Sequence, residues 1–366
     1  MLRSLHLTLD YPPKSHGGIS TAVGAVVQLL SERVGPALVI SYDDWRPSQQ
    51  RESTASVSRN GFVWRVQSVQ TATEVAEAEP FESIARVVVH HPLLWEDGQT
   101  LAKRLKAPID FVLHVDLAHV ADICHRVLPP HHAALESRIV READRVLALS
   151  KDVAKRWTLA YPSTTIALTP LLLGRGFQES SPSKPFRILS VGRFDYVKGT
   201  DLMAEAMNEV LEQNPECEWW HVGGNPASPK TQRRWARKVE AALSPSVSSR
   251  YRWMPWQDGD ALGGFYREAS LAVVPSRYET FGLVALEALS FGRPVVAFSR
   301  GGLVDTLAHD VTGYLTDAVD ASSLARVINE TVGCLKLNPN RWDAAVKERY
   351  LKLEDTAADS WIRAFS

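Results

Sequence analysis

Two glutamates lie eight positions apart in one segment of the chain, at Glu279 and Glu287. A helix is predicted to open at Phe281 and Gly282. Glu279 therefore precedes this helix, and Glu287 lies about two turns along it. The start of a helix offers unpaired backbone N–H groups to an anion. Carboxylates accept hydrogen bonds from hydroxyls, whereas amides donate to phosphate oxygens, so the pattern predicts a ligand that carries both groups, as nucleotide sugars do.

Two cations follow an earlier apolar run, in the segment SVGRFDYVKG. Arg193 and Lys198 come just after the predicted strand, and Gly192 and Gly199 loosen the backbone between strand and helix. Ligands of open parallel sheets bind at the carboxyl ends of the strands. Arginine as a planar fork and lysine as a point charge therefore predict a diphosphate clamp, with two solvated surface cations as the alternative.

Other predicted strand ends carry weaker signals. Gly17 and Gly18 precede a helix, and their amides either approach a phosphate or belong to a plain loop. Gly223 ends the run EWWHVGG and permits a ligand to approach the backbone. Trp256 follows a further strand, in MPWQDGD, where backbone groups are placed to contact a base.

Histidines end two strands of the N-terminal half. His114 ends FVLHV and faces the predicted cleft, whereas His90 and His91 are interpreted as core or loop residues. The segment HVDLAH also contains Asp116 and His119, but its spacing lacks the H-E-x-x-H pattern of a helical zinc site. No metal and no cofactor are expected.

Apolar strands alternate with amphipathic helices along the whole chain, which predicts parallel βαβ units. Two doubly wound halves are expected, a domain at 1–173 and a domain at 186–354. Between them, 174–185 is rich in Gly, Ser and Pro and is typical of a linker. The terminal helix 355–366 is expected to return to the first domain. The polar stretch 46–61 is predicted to form a loop or hairpin.

The composition is that of a globular protein with a formal net charge of −1, which provides no global attraction for nucleic acid. The basic segment 230–238 is interpreted as a solvated helix face, with an anionic contact as the minority alternative. Three separated cysteines are expected to be reduced. Without a signal sequence or a spanning segment, the chain is expected in the cytoplasm, at most peripheral at the inner membrane face.

Three segments together resemble the hallmarks of the retaining glycosyltransferases of family four: DYPPKSHGGIS, SVGRFDYVKG and YETFGLVALEALSFGRPVVAFSRGG. The resemblance covers essentially the whole chain. It implies the GT-B fold, in which two Rossmann-like domains of parallel sheet face an interdomain cleft. By this resemblance the C-terminal domain holds the nucleotide sugar and the N-terminal domain holds the acceptor.

The resemblance also implies roles in the C-terminal half. Arg193 and Lys198 match the residues that bind the diphosphate. Glu279 matches the glutamate beside the hydroxyls of the donor sugar, and Glu287 matches the one that accepts from the ribose hydroxyls.

Five further residues match the pattern. The helix start at Phe281, Gly282 and Leu283 is expected to present its amides to the phosphates. Gly18 matches the N-terminal turn, and His114 matches the histidine beside the transferred sugar. The chain departs from the family at TPLLLGRGF, where an Asn-Gly-Val-Asp segment is usual, so the contact expected from that asparagine is in doubt.

The activity implied is transfer of a sugar, with retention and without a metal, from a UDP- or GDP-linked donor to an acceptor hydroxyl. The acceptor is a saccharide, a lipid-linked sugar or a small molecule, and the region from Trp45 to Arg59 matches no known acceptor class. Attack from the face of the departing phosphate needs no enzymatic base, and double displacement is the mechanistic alternative. A nucleotide-sugar epimerase or hydrolase, or a non-catalytic binding subunit, are the alternative functions.

Overall fold

The computed structural model of the chain describes residues 3–12, 17–42, 54–58, 61–66, 74, 83–179, 186–224, 228–257 and 259–366. The chain divides into two compact units. The first comprises Met1–Asp122, Val127–Gly174 and Glu354–Ser366, and the second comprises Ile123–Arg126 and Arg175–Leu353.

The first unit is built on a sheet. Its strands are β1 (Arg3–Thr8), β2 (Ala37–Ser41), β3 (Thr54–Ser58), β4 (Gly61–Arg65), β5 (Ile84–Val89), β6 (Ile109–Leu113), β7 (Arg145–Ala148) and β8 (Ile166–Leu168). Within the described ranges they run in the order β3-β4-β2-β1-β5-β6-β7-β8. All neighbours are parallel except β3 and β4, which form an antiparallel edge. Strands β2 and β6 are buried along their whole length, because helices cover both faces of a parallel sheet.

Helices alternate with these strands, as the pattern of the sequence predicts. They are α1 (Gly18–Arg33), α2 (Trp95–Leu105), α3 (Leu117–Ile123), α4 (Pro130–Glu142) and α5 (Lys151–Ala160), with a short 3₁₀ helix at Pro92–Leu94. Local signals explain their ends. Ser150 caps α5 by accepting from the Val153 amide, and Lys106 ends α2 in the left-handed conformation.

The second unit contains a six-stranded sheet in which every neighbouring pair is parallel. Its strands are β9 (Phe186–Val191), β10 (Cys217–Val222), β11 (Tyr251–Met254), β12 (Leu271–Val274), β13 (Val295–Phe298) and β14 (Leu315–Thr316). Its helices are α6 (Thr200–Gln213), α7 (Pro229–Ala242), α8 (Gly259–Glu268), α9 (Leu283–Ser290), α10 (Leu303–Thr306), α11 (Ala321–Leu337) and the first part of α12 (Asp343–Phe365), with a 3₁₀ helix at Ser248–Arg250.

The strand orders place a topological switch point in each sheet. In the second unit the order is β11-β10-β9-β12-β13-β14, so the chain winds outward in opposite directions from β9 and β12. In the first unit the corresponding neighbours are β1 and β5. At a switch point the two connections lead to helices on opposite faces of the sheet, which leaves a crevice at the carboxyl ends of the strands. The two units thus have the doubly wound architecture that the sequence predicts.

The end of α12 is fastened to the first unit. The Glu354 carboxylate accepts from the backbone amides of Leu173 (2.7 Å) and Gly174 (2.9 Å). The Trp361 indole is fully buried and donates to the Pro170 carbonyl (2.8 Å). These contacts bring the C-terminal residues back onto the segment that closes the first unit.

The predicted linker 174–185 is part of the second unit over residues 175–179. There the Gln178 amide donates to the Ser290 carbonyl (2.7 Å). Residues 180–185 lie outside the described residues.

Most of the polar stretch 46–61 also lies outside the described residues, but its residues 54–58 are strand β3, which pairs with β4 as one alternative predicted. Among the helices in the described ranges, none combines the length and the apolar character that crossing a bilayer requires.

We expect Trp361→Ala to lower the free energy of unfolding of the first unit by about 3–5 kcal/mol, because it removes a buried aromatic side chain and its hydrogen bond. Asp359→Ala, at an exposed position of the same helix, is the matched control and should change stability by at most about 0.5 kcal/mol. Urea denaturation of both variants measures the difference. Equal stability of the two variants would show that the helix end does not hold the first unit together.

Candidate active site

The loops that follow β9 and β12 approach each other at the switch point of the second unit. The Arg277 amide donates to the Val197 carbonyl across the two loops (2.8 Å). Gly199 has a φ of 64°, and a Cβ at this position would lie 1.8 Å from the Pro275 carbonyl oxygen. Only glycine therefore allows this approach, which brings the predicted clamp and the first predicted glutamate together.

Arg277 joins the two loops a second time through its side chain. Its guanidinium donates to both carboxylate oxygens of Asp201 at 2.7 Å and to the Tyr196 carbonyl at 2.6 Å. It also lies 3.8 Å from the centre of the Tyr196 ring. A planar guanidinium suits a bidentate carboxylate and an aromatic face at once. Neither Arg277 nor Asp201 was predicted from the sequence, although they lie within two positions of the segments 278–302 and 190–199.

Lys198 and Glu279 are in direct contact. The Lys198 Nζ lies 2.7 Å from the Glu279 Oε1, which also accepts from the Ser276 hydroxyl at 2.7 Å. The side chains retain 26% and 12% of their exposure, so the pair is shielded but still reachable. A lysine ammonium has three N–H donors, and the salt bridge to Glu279 occupies one of them. The arrangement places the cation predicted to bind phosphate beside the carboxylate predicted to bind hydroxyls.

Arg193 is the more exposed of the two predicted clamp residues, with 57% of its side chain accessible. Its Nε lies 3.2 Å from the Asp195 Oδ2. The other oxygen of Asp195 accepts from the Lys198 backbone amide (2.8 Å). Asp195 therefore orders the turn that carries both cations. Asp195 was not among the residues predicted from the sequence, although aspartate is common in turns because its carboxylate accepts from nearby backbone amides.

The head of α9 is packed against a pair of glycines. A Cβ at Gly301 would lie 2.1 Å from the Glu279 carbonyl oxygen, and one at Gly302 would lie 2.4 Å from the Phe281 Cα. The Gly302 amide donates to the Glu279 carbonyl (2.7 Å). Phe281 itself is buried with 4% exposure, so its side chain anchors the turn in the core.

The amides at this helix start remain suited to an anion. Gly282, the N-cap of α9, has a φ of 96°, which glycine adopts without strain. Leu283 is the first residue of the helix, and the first N–H groups of a helix have no intrahelical partner. Together with the helix dipole, they favour negative charge at this point.

Glu287 lies in the second turn of α9, and its environment differs from that of Glu279. Its Oε2 accepts from the Tyr266 hydroxyl (2.8 Å). Burial raises the pKa of the Glu287 carboxyl, while the Tyr266 hydrogen bond and the charge of Arg175 lower it in part. Arg175 is held by the Ser290 hydroxyl (2.9 Å) and lies over the Phe291 ring. Tyr266 and Arg175 lie outside the segment that contains Glu287, and no local sequence pattern predicts their contacts with this site.

Gly223 and Trp256 lie at neighbouring strand ends. Gly223 has a φ of 141°, and a Cβ there would lie 2.1 Å from the Gly192 carbonyl oxygen. Its own carbonyl accepts from the Trp253 indole (3.0 Å). Glycine at 223 is thus required by the packing of β9 against β10, and a role in binding a donor stays a prediction. Trp256 is half-buried in the loop after β11.

In the first unit, Gly18 is the exposed first residue of α1, after the switch-point strand β1. His114 follows β6 and is partly buried. Its Nε2 lies 3.0 Å from the Nδ1 of His90. Asp116 does not pair with these histidines, because its carboxylate binds Arg156 (2.8 Å) and accepts from the Trp157 indole (3.1 Å).

Two doubly wound units of parallel sheet define the GT-B class of protein. Solved structures share this fold over the whole chain. Sucrose-phosphate synthase from Thermosynechococcus elongatus superposes with a TM-score of 0.78, at 19% identity over 100% of this chain and 98% of its own. HepE of Anabaena in complex with UDP-glucose has a TM-score of 0.70, at 15% identity over 98% of this chain and 99% of its own.

Residues 176–348 match the family model of the glycosyl transferases group 1. This match covers just under half of the chain and agrees with the resemblance to glycosyltransferases that the motifs predict. A relative named D-inositol 3-phosphate glycosyltransferase, from Salinispora arenicola, is 31% identical over an alignment of 284 residues that covers 70% of this chain. The matched stretch spans 63% of that relative's length.

The environment of Glu287 makes stability depend on pH. An unfolded glutamate ionises near pH ~4.3. The folded protein keeps this proton to a higher pH. The contribution of Glu287 to the free energy of unfolding therefore falls as the pH rises from about 4.3 through its folded pKa. We expect Glu287→Gln to gain stability relative to the wild type across this window and to keep the gain above it. Urea denaturation at several pH values measures the trend, with the exposed Glu348→Gln as control; a difference that is independent of pH would contradict the raised pKa.

Proposed function

We propose that the protein is a retaining glycosyltransferase that moves a sugar from a UDP- or GDP-linked donor to an acceptor hydroxyl without a metal ion. The observation that carries this proposal is the contact of Lys198 with Glu279 at the head of α9. The ammonium of Lys198 suits a phosphate of the ligand, and the adjacent carboxylate of Glu279 suits a hydroxyl of its sugar.

Different residues of the second unit bind different parts of the donor. Lys198, Arg193 and the amides at Leu283 neutralise the diphosphate as it leaves. Glu279 accepts from hydroxyls of the transferred sugar, and Glu287 accepts from the ribose. Such preorganised charges act most strongly where negative charge develops on the leaving group. Burial raises the pKa of the Glu287 carboxyl. Hydrogen bonds from the ribose hydroxyls would stabilise its charged form and lower this pKa, so Glu287 suits the ribose.

The transfer is written as a single displacement on one face of the sugar. The bond from the anomeric carbon to the diphosphate oxygen breaks, and the bond to the acceptor oxygen forms on the same face. The proton of the acceptor hydroxyl passes to the departing phosphate oxygen, so no protein base is required. The role proposed for His114 is positioning and electrostatic support of the sugar.

Metal independence rests on the chemistry of the donor site, since two protein cations and a helix N-terminus supply the positive charge that a divalent ion supplies elsewhere. The UDP-glucose complex of HepE and the phosphorylated acceptor in the name of the inositol relative support a nucleotide-sugar donor and a hydroxyl acceptor. We propose that the protein acts in the cytoplasm, at most peripherally at the inner membrane face.

A two-stage experiment tests the function. Thermal unfolding with UDP, GDP, ADP and their common sugars identifies the donor, since a ligand at 100 times its Kd stabilises by about 2.7 kcal/mol. The stabilising donor is then incubated with a panel of saccharides, lipid-linked sugars and small hydroxylated acceptors, with and without EDTA. We expect an α-configured product from an α-linked donor, observed by proton NMR at the anomeric position, and equal rates with EDTA. Hydrolysis or epimerisation without an acceptor, or binding without turnover, would favour the alternative functions.

Removal of single donor-site charges is the second test. We expect Lys198→Ala to weaken binding of the nucleoside diphosphate by about ten- to 100-fold, since hydrogen bonds to charged groups contribute about 1.5–3 kcal/mol, and to abolish transfer. Lys230→Ala, an exposed cation on α7, is the matched control and should bind normally. Glu287→Gln should weaken nucleotide binding although it stabilises the fold. Isothermal titration measures the affinities, and normal turnover by the Lys198 variant would refute the clamp.

A further inference from the structure

A chain of three histidines crosses the sheet of the first unit. The Nδ1 of His6 lies 2.9 Å from the Nε2 of His90, and the Nδ1 of His90 lies 3.0 Å from the Nε2 of His114. The Nε2 of His6 lies 3.0 Å from the hydroxyl of Ser4. Strands β1, β5 and β6, which carry or precede these residues, are neighbours in the sheet. The chain therefore runs from a buried serine to the residue predicted to lie beside the transferred sugar.

The inner end of this chain is shielded from water. His6 and His90 are buried at 0% and 1% exposure, and Ser4 at 6%. The Phe365 ring, near the end of α12, stacks over His6 with 6.1 Å between ring centres. His114 alone is partly exposed, so its Nδ1 is the end of the chain that a substrate can reach.

All three rings are neutral near pH 7. Burial lowers the pKa of His6 to about 3 and that of His114 to about 3. Burial keeps the pKa of His90 well below its usual value, and repulsion from His6 or His114, whenever either of them carries a proton charge, lowers it further. A neutral imidazole donates from one nitrogen and accepts at the other. The hydrogen bonds of the chain must therefore all run in one direction.

The serine decides between the two directions. If the hydrogen bonds ran from His114 inward, the Ser4 hydroxyl would accept, and its own buried hydrogen would need another acceptor. If they run outward, the Ser4 hydroxyl donates to His6, and only oxygen lone pairs are left over. A buried donor without a partner is rarer in folded proteins than an under-used acceptor. The outward direction leaves the hydrogen of His114 on Nδ1.

We propose that Ser4, His6 and His90 are positioning residues that hold His114 as its Nδ1–H tautomer, so that its accessible nitrogen donates a hydrogen bond to an oxygen of the bound sugar or its phosphate. This inference rests on the proposed function. It deepens it, because an Nδ1–H imidazole cannot accept the acceptor's proton at that nitrogen. The direction of the chain thus accounts for a histidine at the reacting sugar that is not a base.

Nitrogen-15 NMR of the histidine side chains tests the tautomer in the wild-type protein without any substrate. We expect His114 to carry its proton on Nδ1, with assignment from single histidine variants. Ser4→Ala should weaken the preference of His114 for the Nδ1–H form without reversing it, because His6 then lacks its donor but an unpaired buried acceptor is still tolerated better than an unpaired buried donor. A wild-type His114 protonated on Nε2 would overturn the inference.

Two substitutions of His90 separate positioning from packing. The amide of His90→Asn can replace the Nδ1 of the ring and still donate to His114, whereas His90→Gln places its amide toward His6 and leaves His114 without that donor. We expect His90→Asn to keep the tautomer and kcat within about twofold, and His90→Gln to lower kcat by about tenfold with the donor KM unchanged, the effect of one lost hydrogen bond. The exposed His131→Asn is the control. Equal losses in kcat for both His90 variants would indicate a merely structural role.

The two proposals fail in different ways. If the wild type transfers no sugar but His114 is found as the Nδ1–H tautomer, the proposed function fails and the positioning of His114 by the other two histidines and Ser4 stands. If transfer occurs but the tautomer is Nε2–H, the function stands and the positioning role is refuted.

Discussion

The close approach of the β9–α6 and β12–α9 loops is the constraint on which the site of the second unit depends. Gly199 removes the atom that would keep the loops apart, and the bidentate pair of Arg277 with Asp201 holds them together. Because of this approach, the Nζ of Lys198 and the carboxylate of Glu279 form a salt bridge although they are 81 positions apart in the chain. Without it, a cation and a carboxylate would lie on separate loops, and neither would be oriented for a ligand.

The two glutamates that lie close in sequence have different surroundings. The carboxylate of Glu279 contacts the Lys198 ammonium and accepts from the Ser276 hydroxyl before any ligand binds. Glu287 is buried beside Tyr266, and desolvation raises the pKa of its carboxyl. An under-compensated buried carboxylate lowers stability, and such positions are retained where a ligand supplies the missing donors. In the proposed donor site, Glu279 therefore organises the free protein, whereas Glu287 receives its further donors from the ligand.

In the first unit, buried histidines of an apolar sheet lead to one polar group, the outer ring nitrogen of His114. Parallel strands buried on both faces leave little room for charge, and the histidines of β1, β5 and β6 remain neutral there. Among the described residues, hydrogen bonds between the three histidines and one to the Ser4 hydroxyl satisfy every ring nitrogen except the outer one of His114. The C-terminal helix takes part, because Phe365 covers His6 and Trp361 fastens the helix to Pro170.

The sequence by itself determined the fold class, since alternating apolar periods specify parallel βαβ units. It also predicted that Arg193, Lys198, Glu279 and Glu287 form a donor site, because their spacing is local to a loop or a helix and strand-end residues of a parallel sheet converge at one edge. Only the tertiary structure decided which of them touch, that Gly223 is needed to fit against Gly192, and that Arg277, Asp195, Tyr266 and Arg175 support the site. It likewise joined His90, interpreted from sequence as a core or loop residue, to His114. Such contacts depend on the order of the strands and on which loops meet. The periodicity of the sequence predicts only local structure, so it cannot predict them.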